Sequence, residues 1–213
     1  SHELKTPLTV ILSSSELAAE ERDPEKTRRY VEGIHAESLR MKGLVEDMLT
    51  LARTENGTNQ VQSAVDLSDT VLESVLAFEP VAFESGRELS YDIQPGLETQ
   101  GVAVQLRRLA DILLDNAVKY AAAGTSIRLL LRREGRNALL QVENRGETIP
   151  AEKITHLFDR FYRADESRAG GEGFGLGLAI AQNIVKNHGG SIGCTSEDGV
   201  TRFTVTLPLP KAI

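Results

Sequence analysis

The chain has 213 residues, of which 40% are hydrophobic and 26% are charged, a balance typical of a folded globular protein. Its formal net charge of −7 argues against a nucleic-acid-binding protein, which needs a basic face to neutralise phosphates. A single cysteine, Cys194, excludes an internal disulfide and a cysteine-based metal cluster. No apolar run approaches the ~20 residues that span a bilayer, so we expect any membrane attachment to come from segments upstream of Ser1.

The first 55 residues predict two packed helices. Through both halves of this segment, apolar or small residues recur at alternating steps of three and four, the pattern of helices that pack along a seam. Asp23 directly before Pro24 is typical of a helix start, because proline suits the first helical position. We therefore expect an antiparallel hairpin of helices 1–22 and 24–55.

The second of these helices has a wide apolar face, because Leu44 and Leu51 extend it beyond the seam. A homodimer that forms a four-helix bundle is the natural way to bury such a face. Packing of the hairpin against later helices of the same chain is the alternative.

A polar, turn-rich stretch at 55–64 predicts a linker, and the residues after it have the mixed pattern of an α+β protein. We expect a helical domain at 1–56, a linker at 57–65 and an α/β sandwich at 66–210 with helices on one face of a mixed sheet. The elements predicted in the sandwich are, in chain order, a short strand, a helix capped at Ser68, the strand RELSYDI, the helix VQLRRLADILLDNAVKYAA, a strand hairpin that turns near Gly135, a helix that ends at Gly189 and Gly190, and a closing strand hairpin.

Three glycines precede the last predicted helix, in the stretch GEGFGLGLAIA. Gly173, Gly175 and Gly177 would let the backbone approach a phosphate closely, and the helix N-terminus offers free N–H groups. A plain turn is the alternative for such a loop. The stretch does not follow a strand, so it is not a dinucleotide-binding fingerprint.

A second candidate lies on the predicted helix that contains DILLDNAVKYA. Asn116 and Lys119 share one face of this helix, and Tyr120 lies on an adjacent face. An amide oxygen can ligate Mg²⁺, a lysine can meet phosphate and a tyrosine can cover a flat base. A surface amide, a solvated lysine and a core tyrosine are the alternative.

Two more stretches carry candidate contacts. In VENRGETIP a strand ends at Asn144 and a turn forms at Gly146, and a polar side chain at a strand end can read the edge of a bound ring. In FDRFYRADESRAGGEGF, the side chains of Phe158, Phe161 and Tyr162 would pack on the sheet. The polar, glycine-rich residues that follow are typical of a mobile lid, from which Arg163 could reach a phosphate.

The order of these stretches resembles the sensor histidine kinases of two-component signalling. SHELKTPLT resembles their phosphoacceptor box, LLDNAVKYA the N box, NRGETIP the first glycine box, FDRFYRAD the F box and GFGLGLAIAQNIVKNHGG the second glycine box. The five motifs follow the family order and spacing, and the resemblance extends over nearly all of residues 1–207. The resemblance implies a dimerisation and phosphotransfer domain, followed by a catalytic domain of the fold shared with gyrase-type and chaperone-type ATPases.

The resemblance implies that His2 is the phosphoacceptor. Glu3 resembles the acidic residue that orients the imidazole ring and takes up its proton. Thr6 matches the position whose side chain positions a water when the response regulator is dephosphorylated. Pro7 removes a helical hydrogen bond and would bend the helix beside His2.

For the ATP site, the resemblance implies a Mg²⁺ ligand at Asn116, phosphate contacts at Lys119 and Arg163, and Tyr120 against the adenine. The three glycines would form the hinge and the phosphate-facing turn of the lid. The nucleotide-binding residues that the resemblance implies are Asn116, Lys119, Tyr120, Asn144, Gly146, Ile149, Arg163, Gly173, Gly175, Leu176, Gly177 and Leu178.

The sequence departs from the family pattern at three positions. Asn144 stands where the family has an aspartate that accepts a hydrogen bond from the adenine amino group, and an uncharged amide should hold that bond less strongly. Thr148 replaces the second glycine of the same box. Ile112 replaces the first asparagine of the N box, a position that activates water in the related ATPases and that transfer to histidine does not need.

The function implied by the resemblance is ATP-dependent autophosphorylation of a histidine, followed by phosphotransfer to an aspartate in the receiver domain of a response regulator. We expect a homodimer that does not bind nucleic acid and that forms the cytoplasmic part of a membrane-anchored sensor. The alternatives are a state in which phosphatase activity toward the regulator dominates through Thr6, and a dimeric scaffold that binds nucleotide without transfer.

We expect the regulator to dock on a hairpin face that contains Val10, Ser13, Ser14 and Leu17. We expect His35 and His156 on the surface and His188 at a helix end.

Overall fold

A computed structural model describes residues 2–55, 62–164 and 173–210. Helices α1 (His2–Glu20) and α2 (Pro24–Glu55) form the predicted antiparallel hairpin. The turn between them is held by carboxylates: Glu21 Oε1 accepts from the N–H groups of Arg22 and Asp23 at 2.9 and 3.0 Å, and Asp23 Oδ1 accepts from Glu25 N–H at 3.0 Å. These two bonds to backbone N–H groups lower the pKa of Glu21.

The chain then enters the α+β domain through strand β1 (Ser63–Asp66), which pairs antiparallel with β3 (Glu98–Gly101). Residues 63–65, predicted as the end of the linker, therefore lie in a strand. The sequence pattern did not predict β3, because its four residues ETQG contain no apolar alternation.

Helix α3 (Leu67–Glu84) begins before Ser68, whereas a cap at Ser68 would start the helix at Asp69, so the predicted cap is wrong. Asp66 is the N-cap, and its side chain accepts from Asp69 N–H at 2.9 Å. Ser68 is buried instead: its Oγ donates to the carbonyl of Gln94 at 2.7 Å and accepts from Leu97 N–H at 3.0 Å. Aspartate and serine are both favoured at N-caps, but here Ser68 instead connects α3 to the loop before β3 through these two hydrogen bonds.

A five-stranded sheet has the order β2-β4-β5-β7-β6. Strand β2 is parallel to β4, and the other neighbouring pairs are antiparallel, including both predicted hairpins. The remaining elements are β2 (Glu88–Ile93), α4 (Ala103–Tyr120), β4 (Ser126–Glu134), β5 (Asn137–Arg145), α5 (Ala151–Ile154), α6 (Gly177–Asn187), β6 (Ser191–Glu197) and β7 (Val200–Pro208).

The core of the domain lies between the sheet and helices α3, α4 and α6. Alternate residues of β4, namely Ile127, Leu129 and Leu131, are fully buried on this side, as the period of a strand requires. The predicted α/β sandwich is confirmed. No helix in the described part of the chain is both long enough and apolar enough to span a bilayer.

Helix α2 shares this core, which was not the favoured expectation. Leu44 and Leu51 belong to the same buried cluster as residues of α4 and α6, and α2 contacts α6. The interpretation of these two leucines as dimer contacts is therefore wrong, since the same chain covers them. Their burial removes apolar surface from water, worth about 1.5–3 kcal/mol for each fully buried leucine.

Polar contacts accompany this packing of α2 on the domain. Arg108 Nη2 lies 2.6 Å from Asp47 Oδ1, and Asn187 Nδ2 donates to the carbonyl of Thr54 at 2.7 Å. The guanidinium of Arg40 lies 5.1 Å from the ring centroid of Phe174, within the range of a cation–π contact.

Candidate nucleotide-binding site

A cavity of about 600 Å³ opens between α4, the end of β5, the segment around α5 and the start of α6. A cavity of this size suits a small-molecule ligand. Ten of the twelve predicted nucleotide-binding residues line it: Asn116, Lys119, Tyr120, Asn144, Ile149, Arg163, Gly173, Gly175, Gly177 and Leu178.

One turn of α4 supplies polar groups to one wall of the cavity. Lys119 Nζ lies 2.7 Å from Asp115 Oδ2, one helical turn earlier. This pair is half-exposed, and such pairs contribute at most about 1 kcal/mol, so the ammonium can leave the carboxylate for a stronger anion. The Asn116 side chain makes no hydrogen bond with any residue that the structure describes, and it lines the same wall.

The end of β5 forms the floor of the cavity at Asn144, which is only 2% exposed. Asn144 lies in register between Ile127 of β4 and Thr201 of β7. Its amide group has no hydrogen-bond partner among the described residues, although no fully buried side-chain N or O atom among them lacks one. The amide therefore faces the cavity, and because an unpaired buried polar group costs about 1–3 kcal/mol, a ligand or water must satisfy it.

The turn after β5 explains two predicted residues in structural terms. A Cβ atom on Gly146 would collide with the carbonyl oxygen of Tyr120, so glycine is needed where this turn crosses the end of α4. Gly146 does not itself line the cavity. Thr148, a departure from the family pattern, accepts from Gly199 N–H through Oγ1 at 2.8 Å, which fixes the turn to the β6–β7 hairpin.

Backbone contacts hold together the two ends of the segment where a lid was predicted. Phe161 N–H donates to the carbonyl of Gly175 at 3.0 Å. Gly175 has φ +70°, and a Cβ there would lie 2.6 Å from the carbonyl oxygen of Tyr162, so no other residue fits without a shift. Residues 165–172, which contain most of the predicted lid, lie outside the described residues. Leu176, a predicted contact, is buried at the N-cap of α6 rather than in the cavity wall.

The aromatic residues of this segment pack as predicted. Phe158 meets Phe203 of β7 edge to face with ring centroids 6.4 Å apart, and Phe161 and Tyr162 contact the core. The sheet therefore anchors the segment that carries Arg163 into the cavity wall.

Several cavity residues were missed by the sequence pattern. Lys153, on the short helix α5, lines the cavity and donates from Nζ to the carbonyl of Ala164 at 2.7 Å. Asp47 reaches the cavity from α2, and Phe78 from α3. No spacing signal could reveal these residues, because each enters the site through a tertiary contact.

The predicted catalytic residues His2, Glu3 and Thr6 all lie on the first two turns of α1. No described residue of α1 lines the cavity. The described side chains of α1, the helix of the predicted phosphoacceptor, are thus separate from the candidate nucleotide site, although α2 touches both.

The other histidines occupy the expected positions. His35 and His156 are exposed, and His156 Nδ1 lies 2.8 Å from Asp159 Oδ2. His188 is the C-cap of α6, but it is also buried: its Nε2 accepts from Val102 N–H at 3.1 Å and its Nδ1 faces the carbonyl of Ile184 at 2.7 Å.

Two family models match the chain in the predicted order. The model of the His Kinase A (phospho-acceptor) domain matches residues 1–57. The model of the histidine kinase-, DNA gyrase B- and HSP90-like ATPases matches residues 101–211, about half of the chain.

Curated relatives are sensor kinases. The chain is 38% identical over 214 residues to the sensor histidine kinase CusS of Escherichia coli K12, which covers 97% of the chain and 44% of that protein. It is 33% identical over 210 residues to the sensor protein DltS of Streptococcus agalactiae, covering 98% of the chain and 52% of that protein. The chain therefore spans about half the length of the curated relatives that it matches.

Solved structures share the fold. The histidine kinase AdeS of Acinetobacter baumannii superposes with a TM-score of 0.74 at 23% identity, over 99% of each chain. The histidine kinase ThkA, in a complex with the response regulator protein TrrA, superposes with a TM-score of 0.78 at 20% identity, over 98% of this chain and 59% of that one. The five motifs, the fold and both family models agree: the chain belongs to the sensor histidine kinases of two-component systems.

Proposed function

We propose that this chain transfers the γ-phosphoryl group of ATP to His2 and then passes it to an aspartate in the receiver domain of a response regulator. The observation that supports this most is the meeting of Asn116, Lys119, Asn144 and Arg163 in one cavity. These residues come from α4, β5 and the segment after α5, and together they offer a base-reading amide, a metal-binding amide and two cations.

The residues around the cavity fit a nucleotide triphosphate. The unpartnered amide of Asn144 would read the base edge, and Tyr120 would flank the ring. Lys119 and Arg163 would offset the phosphate charge, while the glycines at the start of α6 let the backbone approach it.

Asn116 would hold Mg²⁺, since an uncharged amide oxygen is a ligand that this hard cation accepts. Bound there, the ion would offset negative charge on the phosphates. Asp115, the neighbour of Asn116, lines the cavity and is the partner of Lys119, so release of this lysine would leave a carboxylate beside the proposed metal ligand.

At α1, neutral His2 would attack the γ-phosphorus in line. A nitrogen–phosphorus bond forms, the bond to the bridging oxygen breaks, ADP leaves, and Glu3 takes up the imidazole proton. Because no described residue of α1 lines the cavity, the ATPase-fold domain must move toward α1, or it must serve the α1 of a partner subunit.

Dimer formation is supported by apolar side chains that the hairpin leaves exposed, which are Leu8, Leu12, Val31, Leu39, Val45 and Leu49. Val10 and Leu17 of the predicted regulator-docking face are also exposed, as is Ser13. The domain division at 1–56, 57–65 and 66–210 and the position as the cytoplasmic part of a membrane-anchored sensor stay predictions.

The proposal is tested by incubating the protein with Mg²⁺ and ATP that carries a radioactive γ-phosphoryl group. Acid-labile label should appear on the protein and move to a cognate regulator, and His2→Gln should abolish it. His35→Gln, an exposed histidine on α2, is the matched control and should label normally. Nucleotide binding without any label would instead support the scaffold.

Phosphatase activity toward the regulator is a second candidate function. It is favoured by Thr6, which is exposed one helical turn after His2 on the same helix. Thr6→Ala should slow the decay of phosphorylated regulator and leave autophosphorylation intact. Thr9→Ala is the control, because Thr9 is also exposed on α1 and its Oγ1 bonds only locally, to the carbonyl of Lys5 at 2.9 Å. An unchanged decay rate in Thr6→Ala contradicts this function.

A further inference from the structure

We infer that the base-reading floor of the cavity accepts 6-oxopurine nucleotides, namely inosine and guanosine triphosphates, as well as ATP. This inference rests on the proposed function, because it concerns the base of the same nucleotide. Three observations support it. The side-chain amide of Asn144 can donate or accept a hydrogen bond, the Thr201 hydroxyl can do the same, and neither β5 nor β7 places a charged side chain in the cavity floor.

Adenine and the 6-oxopurines present opposite patterns along one edge. Adenine offers a 6-amino donor and an N1 acceptor, whereas hypoxanthine and guanine offer an O6 acceptor and an N1–H donor. A site distinguishes them strongly only when its buried groups are fixed as donors or as acceptors, because the wrong base then leaves them unpaired.

Asn144 is not fixed in this way. Its side-chain amide carries one acceptor and one double donor, which exchange places when the terminal torsion turns by about 180°. No hydrogen bond to a described residue fixes the amide in either orientation, and the side chain lines the cavity although the residue is only 2% exposed. The same side chain can therefore pair with a 6-amino or with a 6-oxo base.

Thr201, the neighbour of Asn144 on β7, is equally adaptable. Its Oγ1 lies 2.8 Å from Ser196 Oγ, and either hydroxyl can donate in this contact. Ser196 Oγ already accepts a hydrogen bond from Ile149 N–H at 2.9 Å, and it can either donate a hydrogen bond to Thr201 Oγ1 or accept one from it. If Ser196 donates, the Thr201 hydroxyl can donate a hydrogen bond into the cavity. If Thr201 donates to Ser196, its oxygen can accept a hydrogen bond from the cavity.

The floor of the cavity carries no charged side chain that would favour a hydrogen-bond donor of the base over an acceptor. Among the described residues, four carboxylates line the cavity. Those of Asp47, Asp111 and Asp115 are each held by an arginine or lysine in an ion pair, and Glu147 is exposed on the turn after β5. None of the four belongs to β5 or β7. A carboxylate at position 144 would differ, since it only accepts hydrogen bonds and would repel O6 of a 6-oxopurine.

The experiment measures displacement of trinitrophenyl-ATP by ATP, ITP and GTP in the presence of Mg²⁺, at about pH 8, where an aspartate is ionised. For the unaltered chain, the affinities for ATP and ITP should agree within about tenfold. In Asn144→Asp, ITP should weaken by about 100-fold relative to ATP, because its O6 then faces a carboxylate. Asn137→Asp adds the same charge at the exposed far end of β5 and should leave the ratio unchanged.

A preference for ATP over ITP of more than about tenfold in the unaltered chain overturns the inference, and this arm involves no substitution that could unfold the protein. An unchanged ATP-to-ITP ratio in Asn144→Asp also overturns it. If ITP displaces the probe and GTP does not, the inference is overturned for guanine nucleotides. Since the readout is binding, failure of both ATP and ITP to displace the probe counts against the proposed nucleotide site itself, whereas loss of phosphoryl transfer alone does not.

Discussion

In the ATPase-fold domain the side chains that carry chemistry lie in a cavity walled by one chain, whereas in the hairpin they lie on the surface of one helix. Asn144 is enclosed by three strands and Gly175 by the backbone of the F box. Thr6 is exposed, and large apolar residues of the hairpin such as Leu12 and Leu39 remain in contact with solvent.

Under the proposed function, nucleotide binding is therefore a property of the single chain and phosphotransfer is a property of an assembly. The described walls of the cavity all come from one chain. The predicted phosphoacceptor lies on α1, where a partner would cover exposed apolar side chains and to which the nucleotide would have to be brought. The two parts meet along α2, whose one face belongs to the domain core and whose other face is exposed.

Substitutions on the two faces of α2 should have the largest and most unequal effects on stability. Leu44→Ala creates a cavity in the shared core and should lower the free energy of unfolding by about 2–5 kcal/mol. Leu39→Ala, at a residue that is 55% exposed, should change it by less than about 0.5 kcal/mol in the monomer but weaken dimerisation. Chemical denaturation and sedimentation check the pair. Equal effects on unfolding would mean that the hairpin does not share the core.

A second comparison uses one histidine from each region. His188→Ala removes two hydrogen-bonding contacts and should cost about 2 kcal/mol, because Val102 N–H loses its acceptor. His35→Ala, exposed on α2, should stay within about 0.5 kcal/mol. Thermal unfolding monitored by circular dichroism measures both. A similar stability for the two variants would contradict a structural role for His188.

The sequence pattern predicts what depends on local periodicity. The helix bounds near Glu20 and Pro24 and the β4–β5 hairpin follow from spacing and turn residues. The N box, the F box and the two glycine boxes together locate most of the cavity wall. The cap at Ser68 was assigned wrongly because Asp66 and Ser68 have the same local preference, and only the contact with Leu97 distinguishes them.

What the pattern could not predict depends on tertiary contacts. The burial of Leu44 follows from how α2 meets α6, and a heptad pattern reports that a face is apolar without naming what covers it. Lys153 lies in a helix of only four residues, too short for any periodic signal, and reaches the site through the fold of the segment after it.

Lys153 provides an intermediate test within the ATPase-fold domain. Its ammonium fixes the carbonyl of Ala164, directly after Arg163, so Lys153→Gln should raise the KM for ATP by about tenfold through misplacement of Arg163, with a smaller change in kcat. Lys153→Arg should restore part of the effect. The control is Lys186→Gln on α6, where Nζ bonds only to Gln182 at 3.2 Å on the surface. A change in kcat alone would exclude this positioning role.

The smallest expected effect lies in the hairpin turn and concerns pH. The pKa of Glu21 is lowered from its ordinary value of 4.5 because the carboxylate accepts from the N–H groups of Asp23 and Arg22. A group whose pKa is lower in the folded state stabilises the fold fully above its unfolded pKa, and this contribution is lost as the pH falls through the folded pKa. Helix content of the hairpin should therefore fall slightly on acidification below about pH 4.5, and Glu21→Gln should remove that part of the pH dependence.

Circular dichroism against pH checks this, and identical acid profiles for the two proteins would mean that the turn does not depend on the charge of Glu21. Because the site is exposed, the loss should loosen the connection between α1 and α2 and leave the nucleotide cavity unchanged.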